Sequence, residues 1–329
     1  MTRPPFCCIN ALIMRILRGR TCAILFFVGL FLAGSSFPAA ADPLRTAFNP
    51  KDLPPGLNSV SVQNIPIVYS DQGKGDALVI LSSYPFSTQF WAEFAGRLSS
   101  SARVIVVEPP GIRALSSMKG DFSSQHLLYI YRDFVKALGL GTVHVMGAGE
   151  GGGLAVAFGH HFPEITGAVV SINGFESANW TEGFEGMLNI FKQSPAGGFG
   201  MLMSSGSMKY GDRPPSKEET EKWLVPLQDE EQKKAVQERF KAFSADVQES
   251  YILAMLPNFN RHLLLLRADS DQLLPEGEKL LQRTRSQIRQ VPVESQVISK
   301  AGHFAFLDQP EKTAELIRAF LSKNPIEKK

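Results

Sequence analysis

The chain has 329 residues, of which 34 are basic and 32 acidic, for a formal charge of +2. Arg3, Arg15, Arg18 and Arg20 lie within residues 1–41, where there is no acidic residue, so residues 42–329 carry a charge of −2. That near-neutral body excludes the electrostatic footprint of a nucleic-acid or anionic-membrane binder. All three cysteines, Cys7, Cys8 and Cys22, precede residue 42, which excludes disulfide and thiol chemistry from the remaining 288 residues.

Residues 1–41 have the pattern of a signal peptide. Arg15, Arg18 and Arg20 precede an apolar run over 22–33, and small residues lead to Ala39-Ala40-Ala41 ahead of Asp42, an A-x-A cleavage pattern. The run is shorter than the roughly 20 apolar residues that cross a bilayer, and no cysteine follows it to carry a lipid. Export is therefore expected, periplasmic or secreted, with no stable membrane anchor after cleavage. Residues 42–57, with Pro43, Pro50, Pro54 and Pro55, read as an extended leader.

From Ser59 onward, short β-branched runs alternate with helical periods. Strands are predicted over 60–62, 65–69, 78–81, 104–107, 143–146, 168–172, 263–266 and 296–298, and helices over 90–98, 127–138, 152–161, 276–285 and 311–321. Strands buried on both faces read as unbroken apolar runs, as LVIL, VIVV, AVVSI and LLLL do. The alternation predicts an α/β fold: a mostly parallel eight-stranded sheet flanked by helices, built from residues 58–173 and 259–329.

Between 174 and 258 the alternation stops and the sequence reads as helical, a lid inserted after the sixth strand. Ser216 and Glu219 are spaced as a capping box for a helix over 217–224, which Pro226 ends. The interval is rich in large apolar side chains, among them Phe175, Phe184, Met187, Leu188, Phe191, Phe199, Met201, Leu202 and Met203. Such a wall suits a small apolar ligand, with Phe175, Phe184, Met187 and Phe191 as candidate pocket residues. Phe184, Met187, Leu188 and Phe191 also fall at helical spacing, so burial of the lid on the core accounts for them equally well.

The stretch VHVMGAGEGGG has the form of a nucleophile elbow: a short apolar strand, a tight Gly-x-Nu-x-Gly turn and a small-residue helix start. Gly147 and Gly151 take the flanking positions, which leaves Gly149 in the nucleophile's place. Covalent acyl transfer needs an oxygen, sulfur or carboxylate there, and glycine supplies none. Glycine does enter the strained backbone of such a turn without a Cβ clash. The glycine run lacks the Lys-Ser/Thr of a phosphate loop. No cluster, His160-His161 included, has metal-ligand spacing. Neither a metal nor a cofactor is expected.

These segments resemble the α/β-hydrolase fold superfamily over roughly residues 59–321. SVSVQNIPIVYSDQGKGDALVILSSYP is similar to the family's opening hairpin and third strand, and VVEPPG to its D-x-P-G segment. RADSDQLLP is similar to the turn bearing the catalytic acid, and KAGHFAFLDQPE to the turn bearing the catalytic histidine. The resemblance implies an α/β-hydrolase fold, Asp271 and His303 as an acid–base dyad, and the backbone N–H groups of Tyr84 and Glu150 as an oxyanion hole. A carboxylate on one imidazole nitrogen would fix the tautomer and leave the other nitrogen to take a proton. The plainer reading makes Asp271 a helix cap near Glu276 and His303 a packed turn residue.

The chain departs from that family at Gly149, at Ser82-Ser83 in place of the usual His-Gly, and at Glu108 in place of the aspartate of D-x-P-G. GAGEGGG, HFPEITGAVVSINGF, Trp180 and EPPG are also similar to the N-myc downstream-regulated family, a non-hydrolytic branch whose elbow is glycine-rich too. Ser82, Ser83 and Glu150 are the candidate substitute nucleophiles. Against that role, loop serines usually serve as hydrogen-bonders, and a carboxylate at a helix N-terminus is favoured by the dipole. His144 is expected in a packed strand and His160-His161 at a helix end.

Three functions fit these residues. The first is an exported pseudoenzyme that binds a small apolar molecule, or a protein partner, without turnover. The second is a hydrolase or lyase in which the His303–Asp271 dyad is a general base without a covalent intermediate. The third is a hydrolase with a displaced nucleophile. Conventional serine esterase activity is not expected.

Overall fold

In the computed structural model, the described residues are 49–327 apart from 113–117, 119, 178–181, 205–214 and 249–250. The side chains of Phe184, Met187, Met201, Leu202 and Met203 also fall outside the description. So do residues 1–41, read from the sequence as a signal peptide, residues 42–48 of the expected leader, and Trp180. The described residues all belong to one unit, Leu44–Lys329.

The strands are β1 (Leu57–Val62), β2 (Ile65–Gln72), β3 (Ala77–Leu81), β4 (Arg103–Val107), β5 (Val143–Ala148), β6 (Thr166–Ile172), β7 (His262–Ala268) and β8 (Val293–Ile298). They form one eight-stranded sheet in the order β1-β2-β4-β3-β5-β6-β7-β8. Every strand predicted from the sequence is present, most of them extended by a residue or more. β1 and β2 pair antiparallel through the turn Gln63-Asn64, whose φ values of 52° and 64° suit the twist of a tight hairpin. β2 also runs antiparallel to β4, and all later pairs are parallel. β3 and β5 are buried at every position, which is why they read as unbroken apolar runs. β8 closes the edge and alternates in burial, so its polar residues fit a half-covered strand.

The α-helices are α1 (Ala92–Leu98), α2 (Ser124–Ala137), α3 (Glu150–His161), α4 (Glu182–Gln193), α5 (Pro195–Ser204), α6 (Lys217–Trp223), α7 (Glu230–Gln248), α8 (Gly277–Gln287), α9 (Ala305–Asp308) and α10 (Pro310–Lys323). Helices α4 to α7 fall between β6 and β7. The capping box forms as its spacing implies: Ser216 Oγ accepts the Glu219 N–H at 3.1 Å, and Glu219 accepts the Ser216 N–H at 2.7 Å. Aromatic packing binds this helical segment together and ties it to the core. Phe191 stacks on Phe240 at 4.9 Å, and Trp223 meets Phe90 edge-on at 5.3 Å.

The parallel strands all point their carboxyl ends to one edge of the sheet. The loops leaving β3, β5, β6, β7 and β8 therefore bring Ser83-Tyr84, Gly149, Asn173, Asp271 and His303 together. Crevices at strand carboxyl ends are where open α/β sheets place their sites.

Candidate functional site

The turn after β5 has the geometry of a strained elbow. Gly149 lies at φ 55° and ψ −122°, a region that residues with a Cβ enter only at a cost. Its N–H donates to Ile172 O at 2.9 Å, and its carbonyl accepts from Gly153 and Phe175, each at 3.2 Å. The flanking glycines are needed for close approach: a Cβ on Gly151 would lie 2.1 Å from Leu81 O, and one on Gly147 would lie 2.3 Å from Gly151 O. The elbow is thus kept intact while its central side chain is missing.

The structure brings His303 and Asp271 into contact. His303 Nδ1 lies 2.8 Å from Asp271 Oδ2, and both residues are buried. Asp271 Oδ1 accepts the N–H groups of Leu273 and Leu274 at 2.8 and 3.1 Å. Burial opposes ionisation of Asp271. The adjacent His303, its hydrogen bond and those two backbone donors outweigh that penalty and hold the carboxyl below its ordinary range. An ionised carboxylate can only accept, so Nδ1 is the donor in that hydrogen bond.

Asn173 fastens the histidine loop to the sheet. It occupies the left-handed region at φ 45°. Its side-chain oxygen accepts from Ala268 N at 2.7 Å, and its amide donates to His303 O at 2.7 Å and Gly302 O at 3.2 Å. Next to it, the buried pair Arg267–Glu176 closes at 2.6 Å, and Arg267 also donates to Gly174 O at 2.7 Å. Those bonds fix the loop that carries Phe175, whose ring lies 5.6 Å from that of His303.

His303 Nε2 points at the missing nucleophile. A Cβ built on Gly149 would lie 2.8 Å from that nitrogen, closer than Cβ atoms tolerate. The imidazole thus stands against the space where a side chain would begin.

One of the two expected oxyanion donors is engaged within the protein. Tyr84 N–H donates to Glu150 Oε2 at 3.1 Å, so the carboxylate of one proposed donor residue occupies the N–H of the other. Glu150 is held there by Arg239, whose Nε lies 2.5 Å from Glu150 Oε1. Arg239 is fully buried and also donates to Phe122 O at 2.7 Å, Ser124 Oγ at 2.9 Å and Asp246 Oδ2 at 3.3 Å. Burial works against the guanidinium charge, but Glu150 and Asp246 outweigh it and raise the pKa further. The physical reason for the difference is this buried cation, which draws Glu150 inward.

The other sequence candidates have structural partners. Ser83 Oγ donates to Ala148 O at 2.7 Å and accepts the Gly151 N–H at 2.9 Å, stapling the β3 loop to the elbow. Ser82 Oγ donates to Phe86 O at 3.0 Å and accepts from Trp91 Nε1 at 3.2 Å. His144 is buried and accepts the Ala168 N–H at 3.0 Å, and His161 meets the Tyr251 hydroxyl at 3.0 Å. Among the described residues, no group of three or more His, Cys, Asp or Glu side chains could hold a metal ion.

Above the elbow lies a small cavity of about 50 Å³. Among the described residues, seven phenylalanines line it: Phe86, Phe175, Phe191, Phe199, Phe240, Phe243 and Phe304. Gly149, Glu150, Ser83, Tyr84 and His303 complete its floor. Phe175 and Phe191 are therefore at the pocket, whereas the placement of the Phe184 and Met187 side chains lies outside the described residues. Sequence reasoning missed Arg239 and Asn173. Arg239 left one signal, a charge on the apolar stripe of α7 formed by Ala235, Val236, Phe240 and Phe243.

Comparison with known proteins matches this arrangement. A candidate lipase from Acinetobacter baumannii superposes with a TM-score of 0.67 at 19% identity, covering 82% of this chain and 92% of its own. An esterase from Thermogutta terrifontis gives 0.62 at 18% identity, covering 81% and 98%. A haloalkane dehalogenase from Bradyrhizobium elkanii gives 0.62 at 13%, covering 81% and 96%. At those identities the likeness concerns the fold alone. A 2-hydroxy-6-oxononadienedioate/2-hydroxy-6-oxononatrienedioate hydrolase from Burkholderia vietnamiensis is 33% identical over 112 residues, which span 32% of this chain and 39% of that enzyme. The sequence model of the alpha/beta hydrolase family matches residues 78–316, from β3 to α10 and so through the elbow, the acid turn and the histidine turn. By that match, and with the sheet order and dyad that accompany it, the chain belongs to the alpha/beta hydrolase family.

Proposed function

We propose that this protein is a non-hydrolytic member of its family, exported from the cytoplasm, that binds a small apolar molecule beneath a helical lid formed by α4 to α7. One observation carries the reading. Gly149 offers no nucleophile, and the Tyr84 N–H that would stabilise an oxyanion is engaged by Glu150. Covalent acyl transfer needs both parts. The phenylalanine-lined cavity supports an apolar ligand, and a protein partner of the same face is the alternative occupant.

The test pairs two measurements on the purified protein. Fluorophosphonate labelling should leave no adduct detectable by mass spectrometry. Short-chain alcohols should bind in a calorimeter, and binding should persist in His303→Ala. A covalent adduct on any residue, or turnover of an ester that vanishes in His303→Ala, overturns the reading. Export is tested separately, by N-terminal sequencing for processing after Ala41.

A second reading rests on a different observation: His303 Nε2 is aimed at the Gly149 turn, and His303 lines the cavity. There it would serve as a general base toward water or a substrate proton, with Asp271 stabilising the imidazolium. Turnover abolished in both His303→Ala and Asp271→Asn, without an adduct, would establish it in place of the first.

A further inference from the structure

The cavity above the elbow shares a wall with a second, smaller one of about 10 Å³. Phe175 and Phe243 line both, and their rings meet edge-on with centroids 5.4 Å apart. The two cavities differ in their relation to solvent. Of the described residues that line the inner one, all are buried except Phe175 and Leu273, which are half-buried. The outer one is lined by Asp246, Val247, Tyr251 and Leu253, all half-buried. Solvent therefore reaches the outer cavity directly, and the inner one only across the Phe175 ring or past Leu273.

The two rings of the shared wall are not equally free to move. Phe243 is buried on α7, and the Arg239 guanidinium lies over its ring at 5.4 Å. The backbone of Phe175 is fixed: its N–H donates to Gly149 O at 3.2 Å, and Arg267 holds the preceding carbonyl at 2.7 Å. Its ring is only half-buried, so rotation about χ1 gives up less apolar contact than rotation of Phe243 would. Aromatic side chains change rotamer in this way without moving the backbone. Leu273 belongs to the acid turn, where its N–H donates to Asp271 at 2.8 Å, so displacing it would disturb the dyad.

We infer that Phe175 is the gate of the site: its ring swings away from Phe243 to join the outer cavity to the inner one, and so sets the width of the apolar molecules that enter. The inference goes beyond the ligand-binding reading by assigning a route and a size limit. Its test needs no bound ligand, so its failure would leave that reading untouched.

Residues 42–329 contain no cysteine, so a thiol placed in the inner cavity is a clean reporter of entry. The side chain of Leu188 lines that cavity and is buried. The full chain carrying Leu188→Cys is treated with methyl or benzyl methanethiosulfonate, and modification of the peptide that spans residue 188 is timed by mass spectrometry. Rates are taken relative to the same chain unfolded in urea. The methyl reagent should react faster than the benzyl one. Adding Phe175→Ala should speed the benzyl reagent by about tenfold or more, and the methyl reagent by less. Leu253→Trp, which narrows the outer cavity, should slow both reagents, and Leu273→Trp should slow neither. Val79→Cys, buried in β3 and lining neither cavity, should stay unmodified throughout. Phe199→Cys serves the same measurement if Leu188→Cys fails to fold, and Leu253→Trp decides alone if Phe175→Ala does. Equal rates of the two reagents, or no gain with Phe175→Ala, overturn the gate. So does slowing by Leu273→Trp but not by Leu253→Trp, which would put the entrance at the acid turn. Modification of Val79→Cys as fast as Leu188→Cys overturns it too, because the reagent would then enter by unfolding.

Discussion

The carboxylate of Glu150 accepts the backbone N–H of Tyr84 at 3.1 Å, so the two residues expected to hold an oxyanion between them are bonded to each other. The site therefore lacks two separate parts of a hydrolase, and restoring one should not restore the activity. Gly149→Ser alone should remain inactive toward p-nitrophenyl acetate. Gly149→Ser combined with Glu150→Ala should gain turnover by about a hundredfold over the single variant, the effect of one oxyanion donor. Equal rates in the two variants would show that Glu150 does not block the hole.

Arg239 should be the most sensitive charged residue of the α4–α7 segment. It is fully buried and neutralises Glu150 at 2.5 Å and Asp246 at 3.3 Å. Arg239→Leu leaves Glu150 charged and buried without its cation, a loss of about 3–5 kcal/mol. Arg239→Leu with Glu150→Leu removes both charges and should recover much of that loss, because an apolar pair of similar volume often replaces a buried ion pair without penalty. Urea unfolding of the two single variants and the double variant measures the coupling. Additive effects would mean that the two residues do not act as a pair.

How much of this was legible in the sequence depended on which residues report on local structure. The central strands announced themselves because buried parallel strands are apolar at every position, as in Val104 to Val107. Asp271 and His303 stood out through the resemblance of RADSDQLLP and KAGHFAFLDQPE to a family's turns, which is carried by neighbours in the chain. The Glu150–Arg239 contact joins residues 89 positions apart. No local pattern specifies that pairing. Its only trace is an arginine where the α7 stripe calls for an apolar side chain, and a stripe does not name its partner. The consequence for Tyr84 was hidden for the same reason, since a backbone N–H carries no sequence signature.

Gly149 should resist substitution on grounds of backbone and packing alone. At φ 55° any side chain is strained, and a Cβ would come within 2.8 Å of His303 Nε2. The imidazole is tethered by Asp271 at 2.8 Å and so cannot swing away freely. Gly149→Ala should destabilise the protein by about 1–3 kcal/mol and lower occupancy of the pocket. Gly96, where an added Cβ meets nothing within 4 Å, lies in helix α1, and Gly96→Ala should be neutral or stabilising. Comparison of the two melting temperatures checks the assignment, and equal shifts would contradict it.

Acid should unfold the protein in two stages that separate its histidines from its dyad. Burial lowers the pKa values of His144, His160 and His161 below the ordinary value, near 6.5, and the neighbouring His160 lowers His161 further. A group depressed in the folded state binds fewer protons there than in the unfolded chain. Its stabilisation is complete above the unfolded value and is lost as pH falls through the folded one. The first decline in melting temperature should therefore begin near pH 6.5 and be smaller in His144→Gln. Asp271 is also depressed, so its contribution holds down to the ordinary aspartate value, near 3.9, and disappears only below it. Asp271→Asn should flatten the second stage and leave the first unchanged. A variant whose entire loss falls between pH 5 and 7 would place the linkage in the histidines and not in the carboxylate.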